Sequence, residues 1–455
     1  MMISYFPAII ILLPWATTVW ISGGWFWGIN VGESGETYTA RLTKITSFIT
    51  LILLFILDIV ALGRGVPGQV VLFPWIEIDS YRVMISFTVD RLSLIVGTLI
   101  AILGLLTAQF SRAYLHRENG FQRFFAVLNL LCGAMFLIAF AGNPLLMFIG
   151  WEIAGLASFL LIAYAYDRPT VADNATRVLI IKRFGDAAFL AAIILSLLWF
   201  KSLEWPELLF QNSDVESFAM GMVMMGFLVA ALVKSAQLPF ASWLSRALEG
   251  PTPSSAIFYG ALLIHAGVFL VLRIEPMLHH SPGLRTFLIG IGLITAIYSA
   301  LCGLVQNDVK SSIIFSTQSQ VGLIFAECGA GMNELAIWHL TAHAIWRYYQ
   351  LLSAPGYMQS LAGVTHHPIP HLVARHTWLY SVALHRFWLD ELGDYLIVRP
   401  TLAIARDAHN FDLQAGTQFI KLFNIIGEYL QWIDRFLAQP HYLLLLIVVT
   451  FIVII

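Results

Sequence analysis

Charge is scarce in this chain. Only 11% of its 455 residues are Asp, Glu, Lys or Arg, against roughly 25% in a soluble domain. Hydrophobic residues make up 59% and mean hydropathy is +0.79, which excludes a soluble globular protein and indicates a polytopic membrane protein. The formal net charge of −2 excludes the broad basic surface that a nucleic-acid partner would need. Cysteine is almost lacking as well. Cys132, Cys302 and Cys328 lie in apolar runs without CxxC spacing, so neither zinc nor an iron–sulfur cluster is expected, and no other cofactor signature is present. The N-terminus lacks a basic n-region and its first apolar run continues past Trp20. A retained helix is expected there rather than a cleaved signal.

What remains is apolar runs of spanning length. About 20 mostly apolar residues cross a bilayer as a helix. On that criterion twelve spans are expected, over 5–22, 45–63, 89–110, 123–141, 143–165, 178–200, 218–238, 254–273, 285–305, 310–329, 333–352 and 440–455. Connections after odd-numbered spans hold eleven Lys and Arg residues against five in the even ones before residue 340. Basic residues favour the cytoplasmic side, so the N-terminus is expected outside. Residues 353–386 are a polar connection rich in histidine and proline. From 387 to 439 apolar and charged residues alternate at helical spacing, which suits a lateral helix along a lipid or partner surface on the cytoplasmic side, bent or broken at Pro400.

The chemistry concentrates in the stretch KSAQLPFASWLSRALEGPTPSSAIFYGALLIHAG, residues 234–267. Pro239 should break the span, because proline lacks a donor and clashes with the preceding turn. Gly250, Pro251 and Pro253 end the short helix that follows. Lys234 stands beside the break, where a charged group at membrane depth is tolerated only in a protein-lined or hydrated cavity. Elsewhere Glu152 occupies an apolar run, where its carboxylate must be paired, hydrated or protonated. Arg183 and Asp186 are three residues apart, close enough for an ion pair on one helical face. Asp308 and Lys310 precede an unusually polar span containing Ser311, Ser312, Ser316, Thr317, Gln318, Ser319 and Gln320. His339, His343 and Arg347 follow one another at four-residue spacing and share a face. That spacing permits metal binding, yet HxxxH without a third ligand is a weak metal signal, and no metal is expected. A histidine titrates near neutrality and suits proton relay. His265 is a lone membrane histidine open to either a structural or a conducting role. No nucleophile–base pair, phosphate loop, haem motif or nucleotide fingerprint accompanies these residues, so no catalytic centre is expected. They point to proton or cation movement rather than bond making.

The strings GWEIAGLASFLLI, VKSAQLPFASWL, ALEGPTPSSA, LVQNDVKSSIIFSTQSQVG and HLTAHAIWR resemble the antiporter-like subunits of respiratory complex I. That superfamily also includes Mrp-type cation/proton antiporters and membrane subunits of inorganic-carbon pumps. HRFWLDELGDYLIVRP and DRFLAQPHYLLLLIVV resemble the end of the chain 5/subunit L branch. The resemblance implies an all-α polytopic membrane fold of inverted five-helix repeats. The expected organisation is N-terminal helices (1–122), a first antiporter-like repeat with a broken helix (123–275), a partial second repeat (276–352), the connection (353–386), the lateral segment (387–439) and a last membrane helix (440–455).

The resemblance also implies a glutamate–lysine pair at Glu152 and Lys234, and a polar axis through Asp308, Lys310, His339 and His343. It implies partners, namely other membrane and peripheral subunits of a complex in the bilayer. Two positions and one missing segment depart from the pattern. Tyr259 replaces a usual histidine, with His265 six residues on. Arg347 stands where lysine is common. About four helices, including a second broken one, are missing after residue 352. The function implied is a proton-conducting subunit of a complex I-like assembly. The alternatives are the energising subunit of an inorganic-carbon uptake complex and a non-conducting scaffold.

Overall fold

The computed structural model describes residues 5–78, 81–210, 217–360 and 375–437. They fall into two compact units, Met1–Asp394 and Tyr395–Ile455. The first unit contains α1 (Phe6–Phe26), α2 (Gly32–Arg64), strands β1 (Gly68–Ile78) and β2 (Tyr81–Val89), α3 (Arg91–Tyr114), α4 (Phe121–Phe140), α5 (Pro144–Ile162) and α6 (Pro169–Phe200). It continues with α7 (Ser217–Lys234), α8 (Thr252–Arg273, interrupted), α9 (Pro282–Leu304), α10 (Val309–Ala330) and α11 (Asn333–Ser360). The second unit holds α12, Arg399–Leu437.

Among the described residues, seven helices are long and apolar enough to cross a membrane: α1 to α5, α8 and α9. α7 is apolar but shorter. α6, α10 and α11 are long enough and carry the charged and polar positions noted above. The expected last span, 440–455, lies outside the described residues.

Helix starts follow capping chemistry. Asp90 closes a capping box with Ser93 at the head of α3. Asn143 caps α5 by accepting from the Leu146 amide at 2.9 Å. Asp308 does the same for α10 through the Ser311 amide at 2.7 Å. Each supplies an acceptor to a backbone donor that has no partner inside its own helix. α10 ends at Gly331, whose φ of +79° is readily adopted only without a side chain.

The all-α expectation needs one correction. Residues 68–89 form an antiparallel hairpin. The runs GQVVLFPWIEI and YRVMISFTV are rich in the β-branched and aromatic residues that favour strands. The hairpin packs over the connections at one end of the helices. Gly142 N–H donates to the Ser86 carbonyl and Trp205 N–H to the Gly142 carbonyl. Buried Glu204 anchors it, accepting from Ser86 Oγ at 2.6 Å, Asn143 Nδ2 at 3.0 Å and Gln69 Nε2. Burial pushes the Glu204 carboxyl above its usual range, and the Ser86 and Asn143 hydrogen bonds pull it part of the way back. Glu204→Ala would leave these donors unpaired, at about 1–3 kcal/mol. The expected result is a lower thermal midpoint in detergent together with faster proteolysis within residues 68–89. An unchanged midpoint would refute the anchoring role.

The connections sort to two ends. The hairpin end also carries the Arg273–Asp90 and Arg91–Glu334 ion pairs. The opposite end carries Arg117 on Glu33, Arg123 on the Tyr164 carbonyl, and Asn174 on Glu249.

Several expectations about boundaries are also corrected. α2 starts at Gly32 and α6 at Pro169, ahead of the apolar cores read from the sequence. Within the supposed polar connection, α11 runs through Pro355 to Ser360 and Thr377–Leu384 is helical. Residues 361–374 lie outside the described residues. The amphipathic segment is not broken at Pro400: α12 runs on from Arg399 to Leu437, directly after a π-helical turn over Asp394–Val398 that makes the helix irregular just ahead of the proline. Lys182 and Arg183 lie in the body of α6 rather than in a connection, and Arg273 is a buried residue of α8.

Candidate functional site: two facing helix breaks

α7 ends at Lys234, and the chain runs irregularly through Pro239 before the short helix Trp243–Arg246. This is the expected break. Gly250 and Pro251 then adopt extended backbone before Pro253 enters the first turn of α8. A second break was not foreseen. α8 is π-helical over Ala256–Leu262 and resumes as an α-helix only at Ala266, with His265 at the interruption. Such π segments often occur at functional positions. The two breaks touch: Ser235 Oγ donates to the Ile264 carbonyl at 2.6 Å. Gln318 of α10 donates to the Ala236 carbonyl, and Gln237 Nε2 to the Ser235 carbonyl. Carbonyls released by the broken helices are thus satisfied by side chains.

Lys234 is 1% exposed. Its Nζ donates to the Trp151 carbonyl at 2.8 Å and lies 4.6 Å from the centroid of the Trp151 ring. Glu152 is not its direct partner. Arg183 bridges Glu152 and Asp186, and Asp186 also accepts from Trp151 Nε1 at 2.9 Å. Among the described residues Lys234 forms no ion pair within 4.0 Å. It is a buried cation site, with a carboxylate–arginine–carboxylate cluster one residue away along α5.

Lys182 was missed as a site residue, because it reads as one of a pair of basic residues near a helix end. It is 1% exposed. Its Nζ donates to Ser158 Oγ at 2.8 Å and lies 4.3 Å from the Trp243 ring.

On the other side of the facing breaks a nitrogen chain runs from α11 to α8. Arg347 Nε donates to His343 Nε2 at 3.2 Å. His343 Nδ1 and His265 Nε2 are 3.0 Å apart, and His265 Nδ1 meets the Ala261 carbonyl. Arginine only donates and a carbonyl only accepts. The two ends therefore fix both imidazoles as neutral Nδ1–H tautomers, all donating in one direction. Arg347 also binds Gln350 at 2.7 Å and Ser316 at 2.5 Å. It retains its proton, so the chain cannot pass a proton through it.

His339, one turn from His343, pairs with Glu327 instead, a residue sequence reading passed over. Asp308 is exposed and caps α10 without contacting Lys310. Lys310 reaches Thr252 Oγ1 at 2.9 Å, and Thr252 meets Tyr114 at 3.0 Å, at the end opposite the hairpin. Tyr259 lies beside Trp243 and Lys182, not beside the histidines. Among the described residues no group of three metal-ligating side chains converges.

Fold and site together define a helical membrane protein whose interior is organised around two adjoining helix breaks carrying a buried lysine and a histidine. Residues 141–359 match the family described as NADH:quinone oxidoreductase/Mrp antiporter, transmembrane. Residues 75–125 match NADH-ubiquinone oxidoreductase (complex I), chain 5 N-terminus. The chain belongs to this NADH:quinone oxidoreductase/Mrp antiporter family of membrane subunits.

It is 31% identical to NADH-ubiquinone oxidoreductase chain 5 of Mus musculus over 72% of this chain and 52% of that protein. It is 35% identical to NADH-quinone oxidoreductase subunit L of Buchnera aphidicola over 69% and 52%. The chain thus spans about half the length of the curated relatives it matches. Among solved structures, the Mrp complex from Dietzia sp. DQ12-45-1b shares the fold. Its TM-score is 0.66 at 23% identity, over 80% of this chain and 38% of that one.

Proposed function

We propose that this protein is a proton-conducting, antiporter-like membrane subunit of a larger assembly, in which proton movement does work in partner subunits. The observation that carries the reading is Lys234, buried at a helix break without a direct counter-ion and beside the Arg183-bridged carboxylates. A lysine in that setting can gain and lose its proton as the nearby charges rearrange. The relatives' names add a complex I context, in which redox chemistry belongs to partners.

In this reading the helices α1 to α11 cross the membrane. The N-terminus and the hairpin face outside. α12 lies along the cytoplasmic surface, its charged face toward water and its apolar face toward lipid or a partner.

Glu152 supplies the test. In inverted membrane vesicles containing the whole assembly, Glu152→Gln is expected to lower uncoupler-sensitive proton accumulation about tenfold or more. Assembly on native gels should be unchanged. A glutamine cannot hold Arg183 by charge, so the arginine is free to remain on Asp186. Full proton accumulation in this variant would sink the conducting reading.

A further inference from the structure

Glu327 belongs to neither break. It lies three residues before the C-terminal end of α10, about 5 Å along the helix axis from the hairpin end. Its Oε1 is 2.8 Å from His339 Nδ1. Its Oε2 is buried and has no hydrogen-bond partner among the described residues. His339 Nε2 faces Gln320 Oε1 at 3.1 Å. An amide oxygen only accepts, so the Nε2 of His339 carries a hydrogen. The 2.8 Å contact on the other side then needs a proton between nitrogen and oxygen, because a bare lone pair facing a carboxylate would repel it. One shuttling proton therefore belongs to the pair, as Glu–COOH with neutral His339 or as Glu–COO⁻ with its imidazolium.

We propose that Glu327 and His339 form a proton-exchange site near the hairpin end, taking up and releasing one proton at that end of α10 and α11. A proton arriving on Oε2 of Glu327 displaces the shared proton to Nδ1 of His339. Release reverses the two transfers, so the pair returns to one shared proton and the charge is restored. The proposal rests on the proton-conducting reading and adds a residue and a face to it.

The test uses the intact complex in proteoliposomes with a pH-sensitive dye, together with infrared difference spectra on pH titration of the same complex. Glu327→Gln should cut proton flux about tenfold or more, within the usual size of a lost acid–base group. It should also remove one carboxyl band from the titration spectrum. Glu327→Asp should restore a band and part of the flux, and a pH step applied on the hairpin side should load that band first. Full flux in Glu327→Gln would overturn the proposal. So would lost flux with an unchanged carboxyl spectrum, or a band loaded first from the opposite side. If Lys234→Ala leaves flux intact while Glu327→Gln still loses its band, the conducting reading fails and the exchange site stands.

Discussion

Lys234→Ala is expected to abolish nearly all coupled proton movement while the subunit still assembles. The ammonium sits at the end of α7, donating to the Trp151 carbonyl and stacked over its ring. The other close polar groups, Arg183 and Asp186, are already tied to each other. Removing the amine therefore takes away the proton-binding group at the end of α7. Lys234 is among the largest fully buried side chains, so its loss also removes packing, and the measurement is normalised to assembled complex for that reason. Loss of a group that must bind and release a proton lowers rates about 10²–10⁴-fold. Lys234→Arg should fail nearly as badly, because a guanidinium keeps its proton. The measurement is dye-reported proton accumulation in vesicles, normalised to assembled complex. Activity within twofold of the unsubstituted protein, about 0.4 kcal/mol of barrier, would remove Lys234 from the pathway.

Gly267→Ala is expected to have the largest structural effect of any single methyl addition at the site. Gly267 lies in the second half of α8, directly after the interruption at His265. A β-carbon there would fall on the Ala231 carbonyl oxygen of α7 and on Ser235 Oγ. The first obstacle is backbone and cannot turn aside. α8 would have to move away from α7, and the Ser235–Ile264 hydrogen bond that joins the two breaks would go with it. Overpacking of this kind costs about 1–3 kcal/mol. Both a lower thermal midpoint and lost proton movement are expected. Gly283→Ala, in the first turn of α9 with nothing within 4 Å of the added carbon, should change neither. Equal behaviour of the two variants would show that the close approach of α7 and α8 carries no functional weight.

Much of this architecture was legible in the sequence because membrane helices announce themselves by composition. The break near Pro239 followed from proline chemistry alone, and Arg183 with Asp186 followed from three-residue spacing, which brings side chains together on any helix. The hairpin at 68–89 was passed over although its β-branched and aromatic content was visible, because a reading tuned to apolar length counts such a stretch as a connection. The second break at His265 had no proline to mark it. Lys182 and Glu327 stood near the ends of apolar runs, where solvent exposure is the ordinary expectation. The structure buries Lys182 and places Glu327 on His339.

The sequence by itself determined that this is a helical membrane protein of the antiporter family, with ionisable residues held inside apolar spans and one helix broken beside a lysine. Periodicity within a helix states which residues share a face. It does not state which face meets which neighbour. Only the tertiary structure decided that Arg183, not Lys234, takes Glu152, that His343 bonds His265 across 78 residues of chain, and that the two breaks adjoin. Those pairings depend on the rotation and close approach of separate helices, set where Gly185 meets Val233 and Gly267 meets Ala231. Packing of that kind is fixed by the whole set of neighbours at once, and no local pattern encodes it.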